Sequence, residues 1–185
     1  NHLALEEASY STIERILLSN GYERHKEKYF SFVKRVVVEG NTYNVDLDIM
    51  AGMYGGTVDS RRSQHIQGIK ALKATGGNFA FEVPSTKVLI HSKRPDGALD
   101  SASINVISMV PYLIMKAAAL GRGKAKDAYD IYFCIKNFTG GVDSLAREFE
   151  PFIKQGLVQE MRQKLRGKLS SPEHSGPMDI ISYLE

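Results

Sequence analysis

Residues Ile104–Phe138 read INVISMVPYLIMKAAALGRGKAKDAYDIYFCIKNF, and their reading decides the fold. Ile104–Ile107 is β-branched and short, as a strand would be. Ser108 is placed to cap a helix running to Leu120, with Pro111 tolerated in its first turn. Gly121 and Gly123 break that helix. Ala125–Phe138 then predicts a second one, stopped by Thr139-Gly140-Gly141, with Ala128, Ile131, Cys134, Ile135 and Phe138 on one face. Within this stretch Lys116 is the lone charge between Asp100 and Arg122. An ammonium on an apolar helix is costly unless its head reaches water or a partner. Carboxylates arrive on the next element, as Asp127 and Asp130. Asp127 falls at the edge of the apolar face and Asp130 just outside it.

Working outward, the chain predicts mixed strands and helices first and helices after. Leu3–Asn20 has helical spacing. Tyr29–Glu39 and Thr42–Ile49 flank a Glu39-Gly40-Asn41 turn and predict a hairpin. In its second strand Val45, Leu47 and Ile49 point one way, Asp46 and Asp48 the other. Ala51–Thr57 reads as a glycine-rich loop without P-loop or dinucleotide spacing. Arg61–Lys73 suits helix or strand. Phe79–Val83 and Lys87–His91 read as short strands, and Ser92–Asp100 as a polar loop around Pro95-Asp96-Gly97. Asp143 is placed to cap a further helix, with others near Gln155–Leu165 and Met178–Leu184. The resulting expectation is an α+β (α/β) fold, a mixed sheet flanked by helices, with residues 1–107 as core and 108–185 as a helical region.

The bulk numbers narrow the class. With 185 residues, 43% hydrophobic and 24% charged, the chain has the balance of a globular domain. The net charge of +3 neither requires nor opposes a polyanionic partner. One cysteine, Cys134, excludes an intrachain disulfide and fits a cytoplasmic protein, with Cys134 itself a small buried hydrophobe. No secretory signal is visible, and Ile104–Leu120 is too short and too polar for a membrane span. Both ends read as cut. The five histidines lack metal-ligand spacing, and no nucleophile motif is present.

Four features could carry chemistry, and each also has a plain structural explanation. Asp46 and Asp48, two carboxylates on one strand face, suit Mg²⁺, or are ordinary acids on a solvated edge. Lys116 suits a phosphate, or snorkels out of a core helix. Asp127 needs a cation partner, or simply favours the helix dipole. Arg122, Lys124 and Lys126 form a basic rim, or a solvated surface run.

The segment Lys116-x5-Arg122-x-Lys124-x-Lys126-Asp127-x2-Asp130-Ile131-Tyr132 resembles a signature of the AbiEii/AbiGii-type nucleotidyltransferases, many of them toxins of toxin–antitoxin pairs. VDLDIMAG (Val45–Gly52) and LRGKLSSPEHSGP (Leu165–Pro177) extend the likeness over most of the chain. The resemblance implies a DNA-polymerase-β-like core that uses Mg²⁺ to transfer a nucleotide from an NTP to an acceptor hydroxyl on RNA or protein, with an antitoxin as partner. It implies Asp48 or Asp46 as the metal or base carboxylate and Lys116 on the triphosphate. Asp127 would orient Lys116, and Arg122 and Lys124 would assist phosphate binding. The family's Gly-Gly or Gly-Ser turn and first Asp-x-Asp find only Asn1-His2-Leu3-Ala4-Leu5 as counterpart, with no acid before Glu6. Those elements are expected upstream of Asn1, or the chain is a degenerate member that binds nucleotide, RNA or a partner without catalysis.

Overall fold

The computed structural model describes residues 13–52, 63–66 and 69–185. They form an α+β fold whose C-terminal part is helical, divided into two compact units. Among the described residues, one unit comprises residues 13–52, 63–66, 69–77 and 87–105, the other residues 78–86 and 106–185.

In the first unit a helix over residues 13–19 (α1) precedes β1 (Glu23–Arg24), β2 (Ser31–Val38) and β3 (Asn41–Asp48). The three strands form an antiparallel sheet in that order. The hairpin turn falls where expected, because Gly40 supplies a left-handed backbone (φ 79°) that a β-carbon would strain. Pairing runs from Val38↔Asn41 to Ser31↔Asp48, and Val33 stands opposite Asp46. Of the residues expected to point one way along the second hairpin strand, Leu47 and Ile49, the latter just past the end of β3, are half-buried, whereas Val45 is exposed.

A second small sheet has the order β4 (Met50–Gly52), β6 (Ile69–Ala74), β5 (Ser63–Ile66), with β4 parallel and β5 antiparallel to β6. Ala51 and Gly52 thus belong to a strand where a loop is expected. The rest of that glycine-rich stretch lies outside the described residues, as do residues 3–12 of the opening helical pattern. The ambiguous stretch resolves as the β5–β6 pair, since two strands sharing one ladder satisfy their amides together. Phe32, Ala51, Ile69 and Ala71 are buried apolar residues of this unit.

β7 (Thr86–Lys93) and β8 (Leu99–Val106) form a two-stranded ribbon, every residue of which is exposed. The polar loop expected over Ser92–Asp100 is therefore shorter. The turn closes with Arg94 accepting from Gly97 and donating to Ala98 through the backbone.

The second unit opens with α2 (Phe79–Glu82), a helical turn where a strand is expected. Burial of Phe79 edge-to-face on Phe152, ring centroids 5.1 Å apart, outweighs the strand propensity of FAFEV. Then follow α3 (Met109–Ala119), α4 (Ala125–Lys136), α5 (Gly141–Phe149), a 3-10 turn (Glu150–Phe152), α6 (Gly156–Leu169) and α7 (Ser175–Leu184). Ser108 occupies the N-cap of α3 without capping it; its hydroxyl donates instead to the Pro84 carbonyl. Asp143 lies inside α5, which starts two residues earlier after the left-handed Gly140.

α3 organises the core of this unit. Val110, Ile114, Ala117 and Ala118 pack with Phe79, Val158 and Met161 in one cluster. Leu113 and Leu120 pack with Ala128, Ile131 and Leu145 in another. Among the described residues no helix is long and apolar enough to cross a membrane.

Candidate functional site

Gly121 and Gly123 flank Arg122 with φ values of 85° and 78°, so the chain turns sharply between α3 and α4. The turn brings the last half of α3 beside the first turns of α4. Lys116 Nζ then lies 2.9 Å from Asp127 Oδ1 and 2.6 Å from Asp130 Oδ2. Lys126 Nζ lies 2.8 Å from the same Asp130 oxygen. The result is an alternating row, Asp127–Lys116–Asp130–Lys126, whose formal charges cancel. Tyr112, one turn before Lys116, places its ring 5.8 Å from the ammonium.

The row is shielded from water on its inner side. Side-chain exposures are 22% for Lys116, 12% for Asp127 and 13% for Asp130, against 58% for Lys126. Burial alone would favour neutral Lys116, but the hydrogen bonds to Asp130 and Asp127 reverse this and hold it charged well above the ordinary lysine range. Burial likewise opposes ionised Asp130, and the Lys116 and Lys126 ammoniums overcome it, leaving its carboxyl below the usual value. Burial pushes the Tyr112 hydroxyl and the Cys134 thiol up. Cys134 is half-buried and packs beside the second cluster.

An ammonium has three N–H donors. Two are directed at Asp127 and Asp130, and the third is left for an anionic oxygen. Phosphate is a ligand such a fixed point charge suits.

The expected pairing of Lys116 with Asp127 is therefore present, and Asp127 is buried as its position on α4 implies. Asp130, expected only as a further carboxylate of the element after Lys116 and given no role of its own, makes the shorter contact with Lys116. Lys164 and Lys168, one helical turn apart on α6, carry no motif that would single them out. Lys164 Nζ donates to the Ala118 carbonyl at 2.6 Å, satisfying the C-terminal end of α3. The Lys168 side chain lies against Gly121. Burial first, then the charge of Arg122, lowers the pKa of Lys164. Arg122 and Lys124 are exposed on the turn.

Asp46 and Asp48 belong to the first unit, both exposed on one face of β3. Lys28 Nζ lies 3.3 Å from Asp46 Oδ2, with both side chains 46% exposed. Mg²⁺ is commonly held by one or two carboxylates, its other positions taken by phosphate oxygens and water, so the donor chemistry of the pair suits it. Among the described residues no group of three or more His, Cys, Asp or Glu side chains gathers into a metal site. Because exposed ion pairs contribute little, Asp46→Asn is expected to change unfolding free energy by less than about 0.5 kcal/mol, measured by urea denaturation. A larger loss would mean that Asp46 has a structural role.

Compared with protein-family models, curated proteins and solved structures, the chain matches none.

Proposed function

We propose that this chain is a cytoplasmic nucleotidyltransferase that moves a nucleotide from an NTP to an acceptor hydroxyl on RNA or protein, in the manner of the toxins whose signature it resembles. The observation that supports the reading is the geometry of Lys116. A half-buried ammonium, held charged by its neighbours, is fixed by Asp127 and Asp130 with one proton left to donate. In phosphoryl and nucleotidyl transfer, positioning and charge neutralisation supply most of the catalysis. Lys116 contacts the triphosphate, Asp127 and Asp130 orient it, and Arg122 and Lys124 add positive charge at the turn. The resemblance also assigns Asp46 and Asp48, in the first unit, as the carboxylates that would hold Mg²⁺. An antitoxin protein is the partner this reading carries with it.

A second reading is a nucleotide- or RNA-binding member without catalysis that keeps only the basic rim. The support for it is that Arg122 and Lys124 are exposed on the turn, whereas two carboxylates already neutralise Lys116.

Incubation with each labelled NTP, Mg²⁺ and total RNA or protein separates the two. Transfer is expected from the parent chain, with loss of at least about 100-fold in Lys116→Ala, in the range seen when one preorganised transition-state donor is removed. NTP-dependent thermal stabilisation without incorporation would select the binding module. Neither stabilisation nor incorporation would sink both readings.

A further inference from the structure

α4 carries two stripes where an amphipathic helix needs one. Ala128 and Ile131 face the core. On the other side Tyr129, Tyr132, Phe133 and Lys136 follow at i, i+3, i+4 and i+7, a spacing that aligns them along the helix. Tyr129 is the hub. Its ring centroid lies 6.4 Å from Tyr132, 6.0 Å from Phe133 and 4.7 Å from Tyr183 of α7. The ring planes are tilted by 47°, 38° and 34°, so the cluster is a fan rather than a closed stack. Its outer rings are open to solvent: Tyr132 37%, Phe133 51% and Tyr183 44%. The Lys136 ammonium stands 5.4 Å from the Tyr132 ring at one end. Lys126, one turn before Tyr129 on the same helix, lies at the other end, 58% exposed but already paired with Asp130, so Lys136 is the cation the platform relies on.

We propose that this fan is a stacking platform for the bases of single-stranded RNA. It rests on the transferase reading only in making RNA the acceptor class. Aromatic faces accept any base, and neighbouring cations follow the phosphates; that combination binds single strands without needing sequence. Charge selects this occupant over an apolar protein surface. The α4 stripe ends in a lysine and carries no outward carboxylate of its own, Asp130 being turned to Lys116 and Lys126, while on α7 Asp179 stands one turn before Tyr183. A duplex offers no open base faces, so it should not use the platform.

The chain has nine tyrosines and no tryptophan, so stacking can be followed by quenching of its own tyrosine emission. The full chain is titrated with a short unstructured RNA and with a duplex of equal length. Single strands are expected to bind at least about tenfold more tightly than duplex, and Tyr132→Leu with Phe133→Leu to weaken them by about tenfold or more. Lys136→Gln should reduce the salt slope by about one. Both replaced rings are exposed, and an unchanged melting curve verifies folding. Stabilisation by NTP is expected to be unaltered in these variants. Equal single-strand affinity in parent and double variant overturns the platform. So does a change of oligomeric state in the double variant with RNA affinity retained, which would make the fan a contact between copies. NTP binding without RNA binding overturns the platform and leaves the transferase reading standing. Ring-dependent RNA binding with no response to NTP does the reverse.

Discussion

Lys116→Met is expected to abolish nucleotide transfer and to lower unfolding free energy by about 3 kcal/mol, toward the low end for a buried pair that loses one partner. Methionine keeps most of the apolar stem of lysine and removes the ammonium, its charge and its three donors together. Asp130 retains Lys126. Asp127 loses the Lys116 ammonium while its side chain remains 12% exposed, so the cost falls mainly there. Asp127→Asn in the same background should recover part of the stability but none of the activity. That non-additivity is the mark of a direct interaction. The pH dependence has a defined sign. Asp130 has a lowered carboxyl pKa in the folded protein, so its contribution is present above the unfolded value and is lost as pH falls below about 4. Lys116 has a raised pKa, so its contribution is complete below the ordinary lysine value and is lost only as pH rises through the higher folded value. At neutral pH both are fully present. Urea denaturation at pH 7 and at pH 3 should therefore show a flatter acid limb in Lys116→Met than in the parent. A variant within about 0.5 kcal/mol of the parent at both pH values would mean that the ion row carries no stability.

The parts of this architecture that a sequence displays are those where one periodicity dominates. α3 and α4 are legible because each has a continuous apolar stripe at helical spacing, and the two glycines between them mark the turn. The same wheels mark Lys116 and Asp127 as charges on apolar faces, each in need of a partner. Asp130 is legible as a carboxylate on the element after Lys116, but not as its nearer partner. On its own helix it lies off the apolar stripe, and only the crossing of α3 over α4 lets the long Lys116 side chain reach it. Lys164 is hidden for the same reason, since its acceptor is a backbone carbonyl 46 residues away. Strand propensity misleads where tertiary packing overrides local preference. Phe79–Glu82 turns helical because Phe79 must reach Phe152. β7 and β8 run further than their apolar centres suggest because the ribbon is exposed throughout, so no buried face imposes alternation on its ends. The fan on α4 shows the opposite lesson. Its spacing stands in the sequence, but a sequence does not say which of two apolar stripes faces water.

Gly167→Ala and Gly176→Ala should shift stability in opposite directions, although both replace a helical glycine by the same residue. Gly167 lies inside α6, and a β-carbon there would meet nothing within 4 Å. Alanine loses less backbone freedom on folding than glycine, so this change should stabilise by about 0.5–1 kcal/mol. Gly176 lies in the first turn of α7 and is buried. A β-carbon there would stand 2.6 Å from the Lys168 carbonyl oxygen and would overlap the Leu169 side chain. Leu169 could rotate, but the carbonyl belongs to the last turn of α6, so the helices themselves would have to separate. Overpacking of that kind costs about 1–3 kcal/mol, which exceeds the helix-propensity gain. α7 also carries Tyr183, whose ring packs on Tyr129. Displacing α7 should therefore loosen the aromatic fan and increase tyrosine exposure in the folded protein. Thermal melts give the sign of each substitution, and solvent quenching of tyrosine emission reports the fan. If Gly176→Ala were as stable as Gly167→Ala, α6 and α7 could not be in the close backbone contact that fixes Tyr183 against α4.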